Sequence, residues 1–71
     1  MKNQLLVKFG ERIKKERLSR KLSQEKFACM IGVHRTYIGM IERGEKNLTI
    51  NTISKISKTL KISISDLFSN L

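Results

Sequence analysis

The chain has 71 residues with one cysteine, one histidine and 15 Lys and Arg against 6 Asp and Glu, giving a formal charge of +9 and a pI of about 10.2. That length makes one small domain burying only about 60% of its unfolded surface, and with no disulfide or metal cluster available, self-association is the remaining common way to gain buried area. The charge implies a polyanionic partner, nucleic acid or an anionic surface. No apolar run approaches the ~20 residues of a membrane span and no signal-peptide pattern opens the chain, so a cytoplasmic protein without a membrane partner is expected, and the Asn47-Leu48-Thr49 sequon is a chance match.

Apolar residues recur at helical spacing almost throughout. Leu6, Phe9 and Ile13 form the stripe of a first helix, roughly residues 4 to 20. Ser23 is the expected N-cap of a second helix over about 24 to 31, with Glu25 complementing the dipole in its first turn. A third helix is expected over about 35 to 43, stopping at Gly44 as its C′ glycine. A loop, Glu45 to Thr49, leads to a fourth helix with the stripe Ile50, Ile53, Ile56 and Leu60. Ser63-Ile64-Ser65-Asp66 is a variant capping box opening a short fifth helix with Leu67 and Phe68. The alternation from Ile62 to Ser65 also suits a strand, but no partner strand occurs elsewhere. The expected fold class is all-α, a five-helix bundle.

The stretch from Gln24 to Arg43, QEKFACMIGVHRTYIGMIER, has the internal spacing of a helix-turn-helix. Apolar residues sit at Phe27 and Ile31 before the turn, Val33 inside it, and Ile38 and Ile41 after it. Two helices crossing at about 90–120° through so short a turn need a small contact residue and one that tolerates φ > 0. Ala28 and Gly32 fall at those places. The helix after the turn has an outer face of Arg35, Thr36, Tyr37 and Met40, which can reach the floor of a major groove. Two charges interrupt the apolar stripes: Arg17 lies four residues after Ile13, and Glu42 four after Ile38. Those are core-facing steps, and burying the two against each other resolves the cost of burying either alone. The alternative is that Arg17 snorkels to solvent at its helix end.

This motif and its flanks, from about Leu6 to Phe68, resemble the Cro/repressor class of helix-turn-helix proteins, the Xre family. The segment HRTYIGMIERGEKNLTI, residues 34 to 50, is similar within that class to the controller proteins of restriction–modification systems. The resemblance implies a single five-helix domain over residues 1–71, dimerising through its C-terminal region, about 60–71, on a near-palindromic operator. It places Gln24 and Arg43 on phosphate, turns Arg35, Thr36 and Tyr37 to the groove, and matches Arg17 with Glu42 as an internal ion pair. Two positions depart from the usual pattern. His34 stands where Ser, Thr or Asp more often caps the third helix, and Gly39 sits in the middle of that helix at about 1 kcal/mol against Ala.

The chemistry of each side chain sharpens these expectations. Arg35 lies in the first turn of the third helix, the end that enters the groove. Its planar fork matches guanine O6 and N7; a phosphate contact is its plainer alternative. Thr36 suits a base edge or a thymine methyl. Tyr37 can reach phosphate or pack against the second helix. Gly39, on the face of Arg35, either lets the helix sit deeper and leaves the arginine room or is a tolerated blemish. Met40 offers an adaptable apolar contact or is simply surface. Lys46, Asn47 and Thr52, near the start of the fourth helix, suit phosphate, and Lys14, Lys15, Arg20 and Lys21 add a diffuse basic field.

Cys29 and His34 lie five apart with no third group to orient the histidine, so no nucleophile is assembled. No paired carboxylates or phosphate-cradling glycine loop occurs, and neither an enzyme nor a cofactor or small-molecule ligand is expected. Leu60, Ile62, Ile64, Leu67, Phe68 and Leu71 supply an apolar surplus at one end of a basic chain, most simply covered by a two-fold partner; part of it could instead be ordinary core. The expected function is a homodimeric, sequence-specific DNA-binding regulator, most simply the autoregulatory controller of a restriction–modification operon, with RNA polymerase as a candidate further partner. A phage or plasmid repressor, an antitoxin, or a protein-docking module are the alternatives.

Overall fold

The computed structural model describes residues 3–71, which form five helices in chain order. They are α1 (Gln4–Ser19), α2 (Gln24–Ile31), α3 (Arg35–Glu42), α4 (Ile50–Leu60) and α5 (Ile64–Leu67). Among the described residues there is no strand; Lys61, Ile62 and Ser63 connect α4 to α5, and the Ser63 hydroxyl accepts from the Asp66 amide at 3.0 Å to start the last helix.

Each helix start carries a side-chain cap, which satisfies amides that the helix itself leaves unpaired. Ser23 accepts from the Lys26 amide at 3.0 Å. Asn3 caps α1 and Thr49 caps α4, through Leu5 N at 2.8 Å and Thr52 N at 3.1 Å. His34 does cap α3: its Nδ1 accepts from the Thr36 amide at 3.1 Å. A ring nitrogen therefore does the work of the usual hydroxyl or carboxylate oxygen. The α2–α3 corner closes at Gly32, φ 89°, with the amides of Gly32 and Val33 both donating to the Ala28 carbonyl.

α3 lies centrally, packed against α2 on one side and α1 on the other, while α4 and α5 close the core from the C-terminal side. Phe9, Ile13, Phe27, Ile38, Ile41, Ile56, Leu60 and Leu67 make the fully buried centre. Three members of the expected stripes stand outside the buried centre: Leu6 and Ile53 are half-buried, and Ile50, in the first turn of α4, is 76% exposed because the core ends before it.

α1 and α3 approach closely at Gly10. A Cβ there would lie 2.7 Å from the Glu42 carbonyl oxygen and also against that of Ile41. Gly44, φ 73°, ends α3 where a Cβ would lie 2.7 Å from Cα of Val7. α1 thus rides directly on the C-terminal end of the third helix.

The C-terminal apolar set divides differently from its expected role as one interface. Leu60 and Leu67 are 1% and 0% exposed, so both belong to the monomer's own core and have no surface to offer a partner. Phe68 stacks on Phe9 with ring centroids 4.6 Å apart. Ile62 and Leu71 pack half-buried against the core, and Ile64 is 42% exposed. The surplus seen in the sequence is mostly the lid of a small core.

Arg20 also leaves the diffuse basic field. It donates to Glu16 at 2.9 Å and to the Leu60 carbonyl at 2.8 Å, tying α1 to the end of α4. Arg12, bonded to Glu16 at 2.9 Å, reaches the Ser69 carbonyl at 3.3 Å. Hydrogen bonds from Arg20 and Arg12 hold the Glu16 carboxyl below the ordinary glutamate value of 4.5. Its contribution to stability is therefore complete above that value and is lost as pH falls through the lower, folded-state value. The melting-temperature gap between wild type and Glu16→Gln should be largest near neutral pH and close as pH falls below about 4; a gap that is constant with pH would show that the carboxylate's charge contributes nothing.

Candidate nucleic-acid interface

The inner face of α3 is defined by Ile38, Ile41 and Glu42, all buried. Glu42 and Arg17 meet there in a two-pronged ion pair, Nε to Oε2 at 2.7 Å and Nη2 to Oε1 at 3.1 Å. The third guanidinium nitrogen, Nη1, donates to the Leu22 carbonyl at 2.7 Å. The pair is 6% and 7% exposed, so Arg17 does not snorkel away. Gln24 completes the cluster, its Nε2 donating to Glu42 at 3.0 Å. The side chain expected on phosphate is therefore partly engaged inside the protein, leaving one N–H of its amide for any outer acceptor. This network locks α1, the α2 N-terminus and the C-terminal end of α3 together, which fixes how α3 is presented.

The outer side of α3 carries the groove candidates. Arg35 and Thr36 are exposed in the first turn, while Tyr37 and Met40 are half-buried. Arg35 leans toward α2, its Nη1 3.3 Å from the Glu25 carboxylate, with both side chains well exposed. In water such a pair contributes little to stability; what it sets is the direction of the fork, at the N-terminal lip of the helix. In the sequence Glu25 stands only as a dipole partner, because nothing local places it beside a residue of the next helix. The Tyr37 ring packs on the core edge with the Lys46 ammonium 5.8 Å from its centroid, at the outer range of a cation–π contact.

Gly39 departs from expectation. It is buried beneath the side chain of Arg43, whose Nη1 lies 3.0 Å from where a Cβ would be. No open room for Arg35 remains there. Among the other phosphate candidates, Lys46 and Asn47 are exposed in the loop after α3, and Thr52 is half-buried with its hydroxyl 3.1 Å from that of Thr49. Asn47 turns toward the start of α1, lining a groove of about 240 Å³ with Asn3, Leu5, Leu6 and Phe9. Cys29 is exposed on α2, in a cleft also lined by Glu25, His34 and Arg35. Among the described residues no cluster of three metal-ligating side chains forms, and no helix is long and apolar enough to cross a membrane.

What this geometry provides is a rigidly held short helix, exposed along one side, with an arginine and a threonine at its capped N-terminal end. Comparison with known proteins agrees. The family described as helix-turn-helix matches residues 13–67. The chain is 44% identical over 68 residues to the control protein C.BamHI of Bacillus amyloliquefaciens, covering 94% of this chain and 84% of that protein. It is 41% identical over 70 residues to the control protein C.MunI of Mycoplasma sp, covering 97% and 95%. Among solved structures, the restriction–modification controller protein C.AhdI of Aeromonas hydrophila superposes with a TM-score of 0.84 at 40% identity, over 87% of this chain and 94% of that one. With its helices, corner and buried ion pair accounted for, the chain belongs to the helix-turn-helix family of DNA-binding transcription regulators, among the restriction–modification control proteins.

Proposed function

We propose that the chain acts as a homodimer on a near-palindromic operator in the cytoplasm, without catalysis, as the autoregulatory controller of a restriction–modification operon that also meets RNA polymerase at the promoter. The observation that carries this is the exposed first turn of α3, where Arg35 and Thr36 stand clear of a helix whose inner face is locked by Ile38, Ile41 and Glu42. Arg35 and Thr36 read base edges, and Tyr37 and Met40 line the groove beside them. Gln24, Lys46, Asn47 and Thr52 hold phosphates on either side. The near full-length likeness to control proteins favours this role over a repressor or antitoxin.

Two-fold symmetry would set the recognition helices about 34 Å apart, one turn of the duplex. Of the C-terminal apolar set, the surface that remains for this is Ile64 and the uncovered parts of Ile62 and Leu71. Ile64→Asp should give a folded monomer that binds one half-site weakly and loses cooperative operator binding, as read by sedimentation and titration. Leu67→Asp should instead unfold the chain, because its site is core. Duplex affinity of the wild type should fall with salt at a log–log slope of about −4 to −5, for roughly four to six phosphates neutralised per dimer by Lys46 and the lysines of the basic field. Arg35→Ala should relax one base position per half-site by about 1–3 kcal/mol. A flat salt response would defeat the DNA-binding proposal, and an equal loss on operator and random duplex would make Arg35 a phosphate ligand.

A further inference from the structure

Arg43 caps the C-terminal end of α3 with helical φ and ψ, so it continues the faces of that helix by one residue. Successive residues of a helix advance about 100°, so with Ile38, Ile41 and Glu42 buried, the opposite, outer row is Thr36, Met40 and Arg43, with Gly39 at its edge. The Arg43 side chain does not reach off the end of the helix. It runs back along it, with Nη1, Cζ and Nη2 at 3.0, 3.7 and 3.8 Å from the position of a Gly39 Cβ. Helical side chains lean toward the N-terminus, and here the lean is completed by the missing side chain beneath. Glu45 holds the Nε edge at 3.0 Å, which leaves the two terminal nitrogens lying over the glycine. The fork therefore sits about one turn, ~5.4 Å, nearer the groove-entering end than its own Cα.

From these positions we propose that Arg43 is a second base-reading arginine of the recognition helix, seated on Gly39, and that it selects a guanine in the same half-site as Arg35. This rests on the reading of α3 as the helix that enters the major groove. Phosphates flank the groove and are met by side chains at the rim, whereas a guanidinium drawn back along the helix over Gly39, at the edge of the outer row, comes within reach of the floor. Arg35 is the less central of the two in the free protein, because Glu25 draws it toward α2. A planar fork matches guanine O6 and N7, and one turn of helix spans one to two base-pair steps of about 3.4 Å. Gly39, a poor helix former in the middle of an eight-residue helix, has a use as the seat.

The test uses the full chain and an operator selected by the wild type from a randomised duplex pool, beside a random duplex of equal length. Arg43→Lys keeps the charge and loses the fork. It should leave random-duplex affinity and salt slope nearly unchanged, lower operator preference by roughly 10- to 100-fold, and select from the pool a site degenerate at one guanine position. Gly39→Ala should degenerate the same position while its melting temperature stays level or rises, which separates lost seating from lost folding. Arg43→Lys retaining full operator preference, or Arg43→Ala weakening both duplexes equally, would make Arg43 a phosphate contact and overturn the proposal. Gly39→Ala with undiminished discrimination would overturn the seat. A wild type that binds no duplex would defeat the DNA-binding reading itself, a result distinct from either.

Discussion

Arg17→Met is expected to cost the fold about 3–5 kcal/mol, the largest loss of any single side chain outside the apolar core, because it leaves the Glu42 carboxylate buried without its cation. Pairing it with Glu42→Leu should return much of that loss, since two apolar side chains of similar volume replace a desolvated pair. The recovery should stop short of complete. Arg17 also satisfies the Leu22 carbonyl at 2.7 Å, and Gln24 donates to Glu42 at 3.0 Å; the double variant leaves both without partners, at about 1–2 kcal/mol. Urea denaturation of the four proteins gives the coupling energy directly. Additive losses would mean that the two side chains stabilise the fold independently. Because the pair joins α1 to the end of α3, the single variant should also weaken operator binding through misplacement of the helix, while the double variant binds nearly as wild type.

Gly10→Ala is expected to destabilise by about 2–3 kcal/mol, against what the helix alone would favour. In an isolated helix, alanine for glycine is a gain of about 1 kcal/mol. Here the new methyl would meet the Glu42 carbonyl oxygen at 2.7 Å and the Ile41 carbonyl beside it. Both are backbone of α3, so neither can rotate aside, and α1 must move off the helix it supports. For a domain of this size the melting temperature should fall by roughly 10–20 °C. Gly32→Ala is the control: its Cβ meets nothing within 4 Å, and only the φ of 89° is strained, at about 1 kcal/mol. A Gly10→Ala variant that melts above wild type would show that the α1–α3 contact is looser than these distances.

By itself the sequence determined the helices and the corner, and singled out Arg17 and Glu42 as two charges whose burial against each other would resolve both. Phe9, Ile13, Ile38, Ile41, Ile56 and Leu60 mark their inner faces by spacing alone, Ser23 and Gly32 bound α2 by local hydrogen bonding and φ, and Arg17 and Glu42 betray each other by breaking two stripes at core-facing steps. All of these are matters of a residue and its neighbours within one or two turns. Only the tertiary structure decided what lies opposite those faces. Gly10 reads as a weak helix residue until α3 is laid across it. Gln24 reads as a surface amide until Glu42 comes within 3.0 Å. Leu60 and Leu67 read equally well as interface or core, and the packing of α4 on α2 and α5, and of α5 on α1 and α4, made them core. Glu25 and Gly39 acquired their arginines in the same way, one across the corner and one from the next turn. Periodicity tells a side chain which way it faces, but the distance and identity of what it meets depend on how close two backbones come, and that is set by packing between segments far apart in the chain.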